Sequence, residues 1–178
     1  MSRFELFLTV ALAGALAVSV PARAATPAEL VASCTETSAF GFKLGAGAPW
    51  QTIRNGQYVV SPAYQPFEAA RLSYTPLSNR LTSVLVETYY PGQDKAQGQR
   101  DGAEILRLLR ADSRFTKSTQ DVNGGWNFSG DGPLLIRVDY GRSFLSMLCA
   151  NRDVMTIGRA EQEQMRQADQ AVDVTAFE

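Results

Sequence analysis

The sequence predicts an α+β fold: a single antiparallel sheet of about 5–6 strands built from hairpins, one long amphipathic helix packed on one face, and one disulfide. Three observations predict it. Strand-like segments stand on both sides of one strongly periodic helix instead of alternating with several. That helix carries a single apolar arc, which needs a sheet to cover. The only two cysteines, Cys34 and Cys149, bracket most of the patterned sequence. A chain of 178 residues with 45% apolar side chains suits one globular domain, expected over residues 25–157.

Residues 1–24 read as a cleaved signal peptide. Met-Ser-Arg-Phe-Glu precedes an apolar run from Leu6 to Val20, and Pro21-Ala-Arg-Ala24 closes it with a small-x-small site, which puts cleavage after Ala24. As a helix the run rises about 22 Å against a hydrocarbon core of roughly 30 Å, so no stable membrane span is expected once the leader is removed. Val31-Ala-Ser-Cys34 has the shape of a lipobox. Thr26-Pro-Ala-Glu-Leu30 separates it from the apolar run, which disfavours a lipoprotein anchored at Cys34. Removing 24 of 178 residues leaves 154, with 15 basic and 17 acidic side chains and a net charge of −2. That balance lacks the basic footprint of a nucleic-acid binder. Arginine outnumbers lysine 14 to 3, which with the alanine-rich leader suggests a GC-rich bacterial genome and a periplasmic or secreted destination.

The first element of the mature chain is a short strand over Phe40-Gly-Phe-Lys-Leu44, where apolar residues alternate with small or polar ones. Pro49 to Asn55, with Gly56 just beyond, reads as a single short helix. Tyr58-Val-Val60 is a strand stopped by Pro62 and Pro66. Glu68–Tyr74 and Arg80–Tyr90 flank the turn Thr75-Pro-Leu-Ser-Asn79 and form a hairpin. In its second strand Val84, Val86 and Tyr90 share one face and Leu81, Leu85 and Tyr89 the other, a two-sided apolar pattern that places this strand centrally.

Asp94–Ala111 is the long helix. Ile105, Leu106, Leu108 and Leu109 form its apolar arc, and Arg100, Arg107, Arg110 and Arg114 fall opposite. Trp126-Asn-Phe128 is a short strand between glycine-rich breaks. Leu134–Tyr140 and Ser143–Ala150 make a second hairpin around Gly141-Arg142, pairing Val138 with Leu145, Ile136 with Met147 and Leu134 with Cys149. This face turns Cys149 into the core. From Gly158 the composition favours a peripheral helix and tail through residue 178.

Export makes a Cys34–Cys149 disulfide the expected state, and two cysteines allow only one intramolecular pairing. No C-x-x-C is present, which argues against a redox enzyme.

The chain has no histidine, which removes Ser-His-Asp, Cys-His and HExxH chemistry. Gly141-Arg-Ser-Phe-Leu145 lacks the second glycine of a nucleophile elbow, and no Ser-x-x-Lys occurs. Asp121-Val-Asn-Gly-Gly-Trp126 starts like a calcium loop, then loses the pattern at its fifth and sixth positions. Neither a metal nor any other cofactor is expected. Scattered carboxylates, Glu87, Glu104, Asp131 and Asp139, leave a small carboxylate-based hydrolase as the alternative function.

The preferred expectation is a non-enzymatic binding or interaction module, such as an inhibitor or accessory protein of an envelope enzyme, with a protein partner in the cell envelope. Its candidate recognition residues are Trp126, Phe128 and Asp131 on the glycine-rich segment and Arg100, Arg107, Arg110 and Arg114 on the helix. The pattern leaves two roles open for Trp126 and Phe128, core or recognition, and does not define the oligomeric state.

Overall fold

The computed structural model describes residues 25–47, 57–60, 67, 69–90 and 96–175. The expected signal peptide, the short helix at 49–55, the strand stops at 62 and 66 and the expected helix start at 94–95 lie outside the described residues.

Helix α1, Pro27–Ala32, opens the described chain. Its start is fixed by a closed capping box: the Thr26 hydroxyl accepts from the Glu29 N–H at 3.3 Å, and the Glu29 carboxylate accepts from the Thr26 N–H at 2.7 Å. Leu30 and Val31 are buried, and the next turn carries Cys34 into the core.

The strand expected over 40–44 is instead a miniature hairpin of β1, Ser38–Ala39, and β2, Phe42–Lys43. Phe40 and Gly41 form its turn at φ 51° and 88°. Glycine enters that region freely, and Phe40 is held there by full burial and a ring contact with Phe67 at 6.1 Å. Local alternation resembled a strand, but burial of one ring closed the turn.

The main sheet comprises β3, Gln57–Val60, β4, Ala69–Tyr74, β5, Leu81–Tyr89, β6, Lys117–Gln120, β7, Trp126–Ser129, β8, Leu134–Tyr140, and β9, Phe144–Asn151. All neighbours are antiparallel, in the order β3-β4-β5-β9-β8-β7-β6. Helix α2, Gln97–Ala111, links β5 to β6, and helix α3, Arg152–Thr175, follows β9. The α+β class, the hairpin-built antiparallel sheet, the long helix on one face and the disulfide are as the sequence predicts. With seven strands the sheet is wider than expected, because β6 (Lys-Ser-Thr-Gln) is exposed at all four positions and has no apolar alternation to reveal it.

Two registers differ from expectation. The β8–β9 connection is residues 141–143 and the first pair across it is Tyr140 with Leu145, so Val138 pairs with Met147 and Ile136 with Cys149. A shift of two leaves every side chain on its expected face. In β5 the pairing changes from Ser73↔Ser83 to Tyr74↔Leu81, and this bulge brings Leu81 into the core instead of the face shared by Leu85 and Tyr89.

The inner face is one apolar cluster. Val84 and Val86 of β5, Leu145, Met147 and Cys149 of β9, Leu134, Ile136 and Val138 of β8, and Phe128 of β7 lie beneath Ile105, Leu106 and Leu109 of α2. The helix sits close because Gly98 and Gly102 face the β8–β9 hairpin: a Cβ on Gly98 would strike the backbone of Gly141 and Phe144, and one on Gly102 the Tyr140 ring. Tyr90 donates its hydroxyl to Asp101 of α2 at 2.8 Å, and burial together with that carboxylate raises its pKa well above the usual value.

Cys34 and Cys149 form the disulfide, with Cα atoms 5.9 Å apart and a sequence separation of 115. Both are fully buried. The pairing engages the same sulfur that a lipid anchor at Cys34 would need.

Candidate recognition site

Three segments meet beside the disulfide: residues 34–36 after α1, the 112–116 connection after α2, and the 130–133 turn between β7 and β8 that leads into Leu134. They line a pocket of about 190 Å³ whose polar walls are Glu36, Ser113, Arg114, Thr116, Asp131 and Gly132. Long-range bonds brace it. Arg114 donates to the Cys34 carbonyl at 2.8 Å and pairs with Asp112 at 2.6 Å. Asn151 donates to the Glu36 carbonyl at 2.9 Å while its own side-chain oxygen caps the first turn of α3. Arg152 donates to the carbonyls of Gly130 and Gly132.

The charges in the pocket are unequal. The Arg114 guanidinium is matched by Asp112, whose carboxyl it holds below the ordinary aspartate range through that hydrogen bond, against a smaller opposing effect of burial. The carboxylates of Glu36 and Asp131 have no hydrogen-bond or ion-pair partner among the described residues. The local excess is negative.

Two of the seven expected recognition residues reach this pocket. Asp131 and Arg114 line the pocket. Trp126 is half-buried on β7, with the Arg110 guanidinium 4.6 Å from its ring centroid. Phe128 is only 1% exposed and meets Phe115 edge-on at 6.1 Å, so its ring belongs to the core. Arg100 and Arg107 sit apart on the exposed side of α2; Arg107 binds Glu104 at 2.7 Å and Arg100 donates to Gln97. Arg114 stands beyond the end of α2, not on its polar face. Glu36, Asn151 and Arg152 carry no local motif that marks them as part of a site. Only Asn151, directly before Arg-Asp-Val, has the form of a helix N-cap.

The carboxylates named for hydrolysis are dispersed. Glu104 faces Arg107, which lowers its pKa through the hydrogen bond, the opposite of what a general acid needs. Glu87 and Asp139 flank Ser146 on the outer sheet face, with Glu87 3.5 Å from Arg71 and Asp139 2.7 Å from Arg137. Asp131 alone reaches the pocket. Asp121 serves its own turn: one oxygen accepts from the N–H groups of Asn123 and Gly125, and the other, buried and without hydrogen-bond geometry, lies 2.6 Å from Arg137. Burial opposes its ionisation, but these N–H groups and Arg137 outweigh that and lower its pKa.

No protein-family model, curated protein or solved structure matches the chain. Among the described residues, no helix is long and apolar enough to cross a membrane.

Proposed function

We propose that this chain is an exported, non-enzymatic binding module of the cell envelope that grips a protein partner with the flank around Trp126, Arg110, Arg114 and Asp131. One observation carries the reading: Arg114 and Asp131 join Glu36, from a distant part of the sequence, in lining a pocket beside a buried disulfide, braced by the side chains of Arg114, Asn151 and Arg152. At about 190 Å³ the pocket is smaller than the roughly 300–1,000 Å³ of typical ligand sites. It accommodates one side chain better than a sugar or cofactor. Its two unpaired carboxylates favour a basic group from the partner, and the Arg110–Trp126 pair, between α2 and β7, offers a rigid aromatic contact.

Export enters the same proposal. Cleavage after Ala24 would free a chain whose first helix is capped at Thr26, and a buried disulfide suits an oxidising, periplasmic or extracellular compartment. In this reading residues 25–157 carry the working domain; the helix expected from Gly158 instead starts at Arg152, so the expected boundary falls inside α3, whose first turns pack on the body.

The test is a photo-crosslinking residue placed at position 126 or 131 of the exported protein, with position 71 on the outer sheet face as control. A discrete adduct at 126 and 131 that is absent at 71 supports the flank as the interface. Equal labelling at all three, or no adduct at the flank, overturns it. Intact-mass measurement of the same preparation reads the N-terminus, and a chain beginning elsewhere than Ala25 overturns the assigned cleavage.

A further inference from the structure

Helix α3 is attached to the body by few groups. Val154 is buried next to Gly45, and Gly158 is buried against Thr75, with room for a Cβ only in tight contact with the threonine methyl. Then comes Glu161, whose carboxylate accepts the N–H groups of Leu77 and Ser78 in the β4–β5 turn at 2.8 and 3.1 Å. These bonds span more than eighty residues of sequence. From Gln162 to Gln170 every side chain is exposed, and the helix continues to Thr175. At 1.5 Å per residue the part beyond Glu161 is about 21 Å long.

The turn does not need Glu161 to hold its shape. Thr75 and Arg80 close it through the Thr75 N–H to Arg80 carbonyl bond at 2.9 Å and the Arg80 N–H to Thr75 hydroxyl bond at 2.9 Å, and the Thr75 and Ser78 hydroxyls meet at 2.7 Å. Its two outward N–H groups form a ready concavity for an anion. We propose that Glu161 is an electrostatic latch that docks α3 on the β4–β5 turn, and that loss of its charge lets the distal helix swing from the body and opens the two turn N–H groups to water.

The surroundings set the direction. The groups acting on Glu161 are burial, which opposes ionisation, then the Ser78 hydroxyl, the N–H groups of Leu77 and Ser78 and the Thr75 hydroxyl, which together lower its pKa below the ordinary 4.5. No charged side chain is among them; the turn's own flanking charge, Arg80, is exposed, and on the helix Arg159 and Glu163 lie two residues away on either side. The latch is therefore closed near neutral pH and opens as pH falls through the lowered value.

The test uses the whole mature chain. Glu161→Gln keeps the shape of the side chain and removes its charge. Amide protection is measured at Leu77 and Ser78, and a nitroxide pair at Thr119→Cys and Gln170→Cys reports the position of α3. At about pH 6 the expected result is a loss of protection on the order of tenfold at Leu77 and Ser78, the worth of one charge-assisted bond, with amides of β8 and β9 unchanged and a broadened spin-label distance distribution. The chain with Glu161 intact reproduces both changes on acidification, and E161Q shows no further change. Unchanged protection at the turn, an unchanged distance distribution, or equal loss of protection across β8 and β9 each overturns the latch.

Discussion

Gly102 contributes to stability by what it lacks. Alanine is the better helix former by about 1 kcal/mol, yet a Cβ at this position would enter the Tyr140 ring, and overpacking of that kind costs about 1–3 kcal/mol. Gly102→Ala is expected to destabilise the fold by about 1 kcal/mol in urea unfolding, despite the gain in propensity. Gly132→Ala meets only the far end of the Glu36 side chain and should change stability by less than about 0.5 kcal/mol. How far the sequence reports a residue's role depends on the distance to its partners. The inward set Ile136, Val138, Met147 and Cys149 was legible from alternation alone. Phe128 follows the same rule, whereas Trp126, one pleat away at the end of the strand, is covered by an arginine from α2 that no local pattern specifies. Arg114 looks like another member of a solvated helix face, but its partner is a carbonyl 80 residues back in the chain.

At the scale of elements, the disulfide joins the segment after α1 to the last strand. Closing a loop of this length restricts the unfolded chain by roughly 4.7 kcal/mol in the loop-entropy picture, so Cys34→Ser with Cys149→Ser should lower unfolding free energy by several kcal/mol, measured under matched denaturant conditions. Because neither sulfur is exposed, thiol labelling after mild reductant should require denaturant or heating. Rapid labelling of the native protein would count against so deeply buried a bridge. Elements with strong periodicity or turn chemistry were readable: α2, the β4–β5 hairpin and the β8–β9 hairpin. α1 was overlooked although Thr26-Pro-Ala-Glu29 spells its capping box, and β6 was hidden because a wholly exposed edge strand needs no apolar residues. The bulge in β5 escaped for a different reason, since a single extra residue changes which face is buried without altering composition.

For the molecule as a whole, acid is the condition that should weaken the fold. Asp112, Asp121 and Glu161 all have folded pKa values below the ordinary carboxylate range, each through hydrogen bonds that only the folded state supplies. Groups of this kind contribute stability that is present above their unfolded values of 3.8 to 4.5 and is lost as pH falls through the lowered values. The melting temperature is expected to hold nearly level from neutral pH to about pH 5 and to fall below about pH 4. A profile that rises on acidification would contradict the folded ion pairs. The α+β class and the helix-on-sheet layering could be read from the order of periodic segments. The strand order could not, because β5 pairs with β9 across the whole of α2 and three intervening strands, a contact with no local signature.

That central pairing also determines when the protein can fold. β9 is the last strand made, yet it sits in the middle of the sheet between β5 and β8 and carries Cys149. A chain emerging from its N-terminus can form α1, the β4–β5 hairpin and α2, but the two halves of the sheet have nothing to join them until residue 151 appears. The exported polypeptide of the proposed function would thus remain open through its transit and zip from the middle outward at the end. Closure over such long separations is slow, so refolding from denaturant with the disulfide reduced should take milliseconds to seconds, and preserving the bridge should shorten it by holding β9 near the start of the chain.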